Sequence, residues 1–294
     1  MRRWRLLILV VLVAGLVWMM RTGRTPHPLY PIREPEPLAT DLGTTHDPLR
    51  CGTIAGRVIW SGPEPAVPPI ELPITPVLPI QKKEVPNPNR PRIKDGGLAD
   101  AIVWLENVDR SRSKPWTLPA VRVALHDFDF VVPEGNAKGR IGIVRRGTPV
   151  EFVSRESAMH SARGRGAAFF TQMLPEPGKP VSRVLPENGV VELSSGSGYF
   201  WMRGYLLVSD QPYATVTDAQ GRFQLDTVPQ GDYDLVCWKA NWHAARLERD
   251  PELIVPVRLE FGRPVVRRQR VSAKAATSTP ITFSLSAADF APSR

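Results

Sequence analysis

The sequence predicts an all-β protein that follows an N-terminal transmembrane helix. Proline supplies 31 of the 294 residues, about double its usual share of ~5%, and a proline inside a helix removes a backbone donor and clashes with the turn before it. Short valine-rich segments alternate apolar and polar residues between glycines and prolines, as strands with one buried face do. An apolar run at residues 6–20 supplies the transmembrane helix.

The N-terminal segment, residues 1–24, is predicted to be a signal anchor. With Trp4 included, its apolar run spans roughly 25 Å as a helix, slightly less than a ~30 Å hydrocarbon core. Arginines at both ends can reach the interface: Arg2, Arg3, Arg5, Arg21 and Arg24. No small-residue cleavage site follows Met20, which favours an uncleaved anchor over a cleaved signal peptide. Either interpretation places the bulk of the chain in the periplasm or extracellular space.

Residues 25–50 are rich in proline and polar residues and are predicted to be an extended linker. Its histidines, His27 and His46, are expected to be solvated. The net charge of +9 suits a solvated surface. Because no nucleic-acid-binding motif accompanies that charge, nucleic acid is not an expected partner.

The chain has two cysteines, Cys51 and Cys237, and no Cys-x-x-Cys motif. Zinc-ribbon and thioredoxin-like chemistry are therefore excluded. Both cysteines fall in predicted strands of the same domain. A disulfide between them and two separate buried thiols both remain open.

Two turn-and-strand motifs predict the first domain. Thr215–Leu225 contains T-D-x-x-G-x-F-x-L, and Val228–Val236 continues with V-P-x-G-x-Y-x-L. This pattern resembles the carboxypeptidase regulatory-like domain, a transthyretin-type β-sandwich. The G-x-V of Gly56–Val58 and the A-x-V-x-L of Ala101–Leu105 match its earlier strands. The resemblance implies a discontinuous sandwich built from residues 51–110 and 212–290.

A second pattern lies between the two halves of that domain, within residues 118–211. A strand, a G-T-x-V turn and a further strand at 139–153 precede His160, and 196–202 read Gly-Ser-Gly-Tyr-Phe-Trp-Met. This arrangement resembles small blue copper proteins of the amicyanin and plastocyanin type. The resemblance implies a cupredoxin-like Greek-key β-sandwich inserted into a regulatory-like Greek-key β-sandwich, and insertion at a turn is tolerated because its ends lie close together.

The same resemblance implies that the copper ligands are largely lost. A blue-copper site uses two histidines, a cysteine and a weak axial methionine. His160 and Met202 occupy the first histidine and methionine positions, whereas Gly196 stands at the cysteine position and Tyr199 at the second histidine position. We therefore expect no cofactor. The surviving metal hypothesis is a remnant site of His160 and Met202 that binds Cu(I), with Met159 and Met173 as further thioethers.

No enzyme motif is complete. Ser195–Gly198 lacks the first glycine of a nucleophile elbow. Arg163–Gly166 lacks the Lys-Ser/Thr of a phosphate loop. No pair of carboxylates stands out for acid–base chemistry, so the protein is not expected to be an enzyme.

The sequence thus favours an exported, membrane-anchored interaction or structural module of the bacterial envelope, whose loops at 63–94 and 154–180 contact an envelope protein or polysaccharide. One alternative is a copper-binding or electron-transfer protein with a modified site. Another is a carbohydrate-binding module that uses exposed tryptophans, for which the candidates are Trp104, Trp116, Trp238 and Trp242.

Overall fold

A computed structural model describes residues 45–73, 82–134, 137–252 and 256–290. Within these ranges the regular structure is strand, apart from three single 3-10 turns at Pro48–Arg50, Arg110–Arg112 and Ala287–Asp289. The prediction of an all-β protein is confirmed. No helix in the described ranges has the length and apolar character needed to cross a membrane. The predicted anchor at 1–24 and nearly all of the predicted linker lie outside these ranges.

Two sheets, which we call the outer sandwich, are built from the two ends of the described chain. The first has the order β18-β1-β5-β4, with β23 parallel to β1 on its other side. The second has the order β17-β6-β19-β22. The strands of the first sheet are β1 (Cys51–Ser61), β4 (Ile93–Lys94), β5 (Gly97–Leu98), β18 (Arg222–Pro229) and β23 (Ser278–Ser286), and those of the second are β6 (Ile102–Glu106), β17 (Ala214–Val216), β19 (Gly231–Lys239) and β22 (Val265–Ala273).

Two five-stranded sheets from the middle of the chain form what we call the inner sandwich. One has the order β10-β16-β15-β12-β13 and the other β14-β11-β7-β8-β9. The strands of the first are β10 (Ile141–Arg145), β12 (His160–Gly166), β13 (Phe170–Leu174), β15 (Gly189–Ser195) and β16 (Arg203–Ser209), and those of the second are β7 (Arg122–His126), β8 (Asp129–Glu134), β9 (Ala137–Gly139), β11 (Pro149–Ser154) and β14 (Val181–Val184).

The four sheets stack in layers, with apolar cores between successive layers. One apolar core lies inside each sandwich. A third core joins them where Ile102 and Trp238 of the outer sandwich meet Ile143 and Leu207 of the inner one. Accordingly, all seven residues of β16 are buried, and its central Tyr205–Val208 segment is apolar throughout, as strands covered on both faces are.

The proline-rich excursion between β1 and β4 enters this junction. Asn89 donates to the carbonyl of Asn241 in the outer sandwich and accepts from the Tyr205 hydroxyl of the inner one, at 2.8 Å each. Asn87 donates to the carbonyl of Trp242 at 2.9 Å. Since both asparagines are buried, this part of the 63–94 loop joins the sandwiches instead of forming the free contact surface that the sequence suggested.

Two small hairpins cover one side of the inner sandwich. They are β2 (Ile70–Pro73) with β3 (Lys82–Val85), and β20 (Ala244–Arg249) with β21 (Pro256–Phe261). Leu72 and Leu259 of these hairpins pack on Phe200. Arg203 of β16 fastens the second hairpin by donating to the carbonyl of Leu259 and lying over the Phe261 ring.

The two cysteines are free and buried. Burial raises the pKa of Cys237 to about 12. It also raises the pKa of Cys51, whose thiol donates to the carbonyl of Asp47 at 3.2 Å. Both thiols are therefore poor nucleophiles.

Candidate functional site

The candidate site lies at one end of the inner sandwich, where β12 begins. His160 is the first residue of β12 and pairs across the sheet with Leu174 of β13. Its side chain is fully buried, because a strand position opposite a core leucine points inward. The next residue, Ser161, pairs with Met173 and lies on the opposite face.

Glu156 holds one side of the His160 ring. The Nε2 atom of His160 is 2.8 Å from Oε2 of Glu156. Since an ionised carboxylate only accepts hydrogen bonds, Nε2 is the donor in this pair. That Nδ1 atom is buried and has no hydrogen-bond partner among the described residues. The site therefore contains one oriented and unsatisfied imidazole nitrogen.

Tyr199 occupies the space over the imidazole. The two rings are stacked, with centroids 4.8 Å apart and planes 29° from parallel. The loop that carries Tyr199 is closed by backbone hydrogen bonds from Phe200 to Gly198 and from Met202 to Tyr199. The resemblance placed Tyr199 at the second histidine position, and the structure shows its ring face, not its hydroxyl, against His160.

Gly196, at the lost cysteine position, packs tightly against β12. A Cβ atom built on Gly196 would lie 2.5 Å from Oγ of Ser161, and that hydroxyl already pairs with Ser197 at 3.0 Å. Any side chain at this position requires Ser161 to move. The position therefore supplies no ligand.

The methionines divide into two groups. Met202 is fully buried in the inner core. Met159 and Met173 are 62% and 44% exposed, and Met173 lies on the face opposite His160. Of the three thioethers in the Cu(I) hypothesis, that of Met202 is therefore buried and those of Met159 and Met173 are exposed.

A strained turn borders the site. β7 and β8 are joined by the two residues Asp127 and Phe128, between the paired His126 and Asp129. Both turn residues have positive φ, 52° and 54°, and a bulky residue such as phenylalanine rarely adopts this conformation. The ring of Phe128 lies 5.0 Å from that of Tyr199 and 5.9 Å from that of His160.

Glu156 and Phe128 are site residues that the sequence analysis missed. Glu156 accepts from the backbone N–H of Phe128 at 2.6 Å through the oxygen that does not bind His160. A glutamate four residues before a strand histidine gives no sequence signal by itself.

Two further histidines and four tryptophans make contacts of their own. The Nδ1 atom of His126 pairs with Asp127 at 3.2 Å on the surface. The backbone N–H of His243 donates to Asn241 at the junction of the sandwiches. The four tryptophans considered for carbohydrate binding do not form an exposed platform: Trp238 and Trp242 are buried, and Trp104 and Trp116 are half-buried.

These residues do not fit a blue-copper centre. Such a centre needs two imidazoles and a thiolate, and the site supplies one imidazole nitrogen. Among the residues that the structure describes, no three histidine, cysteine, aspartate or glutamate side chains are grouped to hold a metal ion. The ring of Tyr199 and the contact between Gly196 and Ser161 fill the positions of two missing ligands.

Comparison with solved structures finds amicyanin, a cupredoxin. Two oxidised mutants, at 18% and 19% identity, and a Cu(I) form of a third mutant, at 17%, each cover 31% of this chain and 82% of the amicyanin chain, with a TM-score of 0.25. No protein-family model matches the sequence, and no curated protein does either. About a third of this chain is thus similar to a cupredoxin. The assignment of the ligand positions still depends on the residues themselves.

Proposed function

We propose that this protein is an exported, membrane-anchored and non-catalytic module that contacts another component of the bacterial envelope through the His160 end and the neighbouring hairpin of its inner sandwich. The observation that carries this proposal is the position of the exposed apolar side chains. Met159, Phe169 and Met173 are 62%, 80% and 44% exposed, and all three lie in the 154–180 segment. Met159 directly precedes β12, and Met173 pairs with Ser161 two residues further on; neighbouring exposed apolar side chains of this kind favour an interaction surface.

The rigid stack of sheets supports this role. The described parts of both sandwiches share an apolar junction and are joined by buried asparagines. Loops held by such a frame keep a fixed surface, as binding loops on rigid scaffolds do. The signal anchor and the regulatory-like identity of the outer sandwich belong to this proposal and rest on the sequence patterns.

Copper handling is the second candidate, and one observation favours it. The Nδ1 atom of His160 is buried without a partner, while Nε2 is held by a carboxylate. Metal-binding histidines commonly have this arrangement, in which a second group fixes the ring. The binding expected from one imidazole and one buried thioether is weak.

A copper titration of the full chain, purified in detergent, separates these functions. We expect no copper to remain after desalting, and neither a thiolate-to-copper absorbance band nor a stoichiometric EPR signal. Stoichiometric copper that disappears in the variant His160→Asn would establish the second candidate and contradict the first.

The contact surface is tested by crosslinking in cells. A photoreactive residue placed at Phe169 or Met159 is expected to capture one discrete envelope protein or polysaccharide. Leu49, which is 87% exposed on the outer sandwich, is the matched control and is expected to capture nothing specific. Equal capture at the two kinds of position would contradict the proposal.

A further inference from the structure

We propose that His160 serves as a positioning residue: together with Glu156 it holds the strained Asp127–Phe128 turn, and through that turn it holds a cluster of three rings. We call Phe128, Tyr199 and Trp201 the aromatic cap. The use of the cap as a contact surface rests on the proposed function, whereas the clamp itself rests only on the contacts described next.

The turn needs support from outside itself. A two-residue hairpin turn with positive φ at both positions suits Asn-Gly or Asp-Gly sequences. Here the second residue is Phe128, whose Cβ atom makes the left-handed conformation unfavourable. Such strain persists where the surrounding contacts over-determine the backbone.

Two side chains supply those contacts. Glu156 accepts from the Phe128 N–H at 2.6 Å, and the indole Nε1 of Trp201 donates to the Phe128 carbonyl at 3.2 Å. Both backbone polar groups of the strained residue are therefore held by side chains from other segments.

Glu156 can act as a clamp because His160 fixes it in turn. Its second oxygen binds Nε2 of His160 at 2.8 Å. The imidazole cannot rotate freely, because it is fully buried, begins a paired strand and is stacked under Tyr199. A carboxylate bound to a rigid imidazole loses little further rotamer freedom when it binds the turn, so its hydrogen bond to Phe128 is pre-organised.

This positioning role gives His160 a function that does not require the other ligands of a copper site. The proton on Nε2 is used to hold Glu156, which leaves Nδ1 without a partner. The Tyr199 ring, at the position that the resemblance assigns to the second histidine, also packs against two other rings. Its centroid lies 5.0 Å from that of Phe128 and 5.6 Å from that of Trp201. These contacts link His160 to Glu156, Glu156 to Phe128, Phe128 to Tyr199, and Tyr199 back to His160.

Hydrogen–deuterium exchange of the full chain in detergent tests the clamp. In the variant Glu156→Ala we expect the backbone amide of Phe128 to exchange at least tenfold faster than in the wild type. The matched control is Glu176→Ala, which removes an exposed carboxylate of the same segment that pairs with Lys179 at the surface. This control is expected to leave the Phe128 amide unchanged. Unchanged exchange in Glu156→Ala would overturn the proposal.

A second background separates positioning from simple loss of packing. Glycine adopts the left-handed conformation without strain, so Phe128→Gly is expected to reduce the effect of Glu156→Ala at position 128 to under threefold. An equal effect in both backgrounds would overturn the clamp. His160→Phe, which keeps a ring but lacks Nε2, is expected to loosen the turn as Glu156→Ala does; a turn as protected as in the wild type would contradict the role of His160.

Failure of the proposed function is distinguishable from failure of the clamp. If Met159 and Phe169 give no specific crosslinks while hydrogen exchange is as expected, the proposed contact surface is contradicted and the proposed clamp is not. Stoichiometric copper bound through Nδ1 of His160 would overturn the positioning role, because the histidine would then be a ligand.

Discussion

The two sandwiches use their aromatic side chains in different ways. In the outer sandwich, Trp60, Trp242 and Phe290 pack on one another inside the apolar core. In the inner sandwich, Phe128, Tyr199 and Trp201 gather at the loop end around a buried histidine, and Phe128 is 43% exposed. Rings inside a core contribute stability, whereas rings held at an edge remain available for contact. On the proposed function, the rings of the outer sandwich contribute stability and those at the loop end of the inner sandwich contribute contact.

The sandwiches also bury their cations differently. Arg203 of the inner sandwich donates to the carbonyls of Phe200, Met202 and Leu259 and pairs with Glu192. Lys239 of the outer sandwich donates to the carbonyls of Ala99 and Asp100 at 2.8 and 3.1 Å. A guanidinium spreads its charge over several planar donors, whereas an ammonium concentrates it. Burial accordingly lowers the pKa of Lys239 to about 8.

The largest expected effect follows from removing the inner cation. Arg203→Ala leaves buried carbonyls without a donor and Glu192 without its partner, so we expect the free energy of unfolding to fall by about 3–5 kcal/mol. Denaturant unfolding measures it. Arg222→Ala, an exposed arginine on β18, is the control and should change stability by less than about 0.5 kcal/mol. A loss under about 1 kcal/mol for Arg203→Ala would contradict the structural role assigned to this residue.

Lys239, the buried cation of the outer sandwich, predicts that the stability of the protein depends on pH. Below pH 8 lysine is protonated in both states, and burial of its charge destabilises the folded protein. Between pH 8 and 10.5 the unfolded state binds more protons, so stability rises with pH. Relative to Lys239→Met, the wild type should gain about 3 kcal/mol between pH 7 and 11.

Tyrosines and cysteines titrate in both proteins, so their contribution cancels when the free energy of unfolding of Lys239→Met is subtracted from that of the wild type at each pH. A difference between wild type and Lys239→Met that stays flat from pH 7 to 11 would show that Lys239 is hydrated in the folded state.

The join between the sandwiches is tested at Asn89. Asn89→Ala removes the bonds to Tyr205 and Asn241 and leaves buried polar groups unpaired, which should lower stability by about 2 kcal/mol. We expect calorimetry to show one transition in the wild type and a broader or divided transition in the variant. Asn188→Ala, at the exposed Asp210 contact, should leave the single transition intact. A wild type that already unfolds in two separate steps would contradict the coupling.

The smallest effect concerns Gly196, which the resemblance places at the cysteine position. Gly196→Ala brings a methyl group against Oγ of Ser161 and should lower stability by about 1 kcal/mol, within the usual range for overpacking. The double variant Gly196→Ala with Ser161→Ala should recover most of that loss, as a double-mutant cycle measures. Strictly additive effects would mean that Ser161 is not what excludes a side chain at position 196.

Much of this site could be read from the sequence, and the rest could not. The resemblance named His160, Tyr199, Gly196 and Met202, and the structure stacks the rings of the first two. The segment 154–180 was expected to be a loop that supplies contact surface, whereas it contains the strands β12 and β13. Glu156 and Phe128 were missed because their importance comes from the hydrogen bond between them, which joins segments 28 residues apart and which no local pattern encodes.

The excursion at 63–94 shows the same limit. Its prolines correctly excluded a central strand, since proline cannot donate within a sheet. The sequence could not show that Asn87 and Asn89 are buried, because their partners are the carbonyls of Trp242 and Asn241, more than 150 residues away.

The sequence by itself determined the all-β class, because side-chain alternation is a local property of the chain. Only the tertiary structure decided that Tyr199 stacks on His160, that the thioethers of Met159 and Met173 are exposed while that of Met202 is buried, and that Glu156 links a histidine to a strained turn. Those features depend on which strands become neighbours, and that pairing is set by the burial of the whole stack of sheets rather than by any one segment.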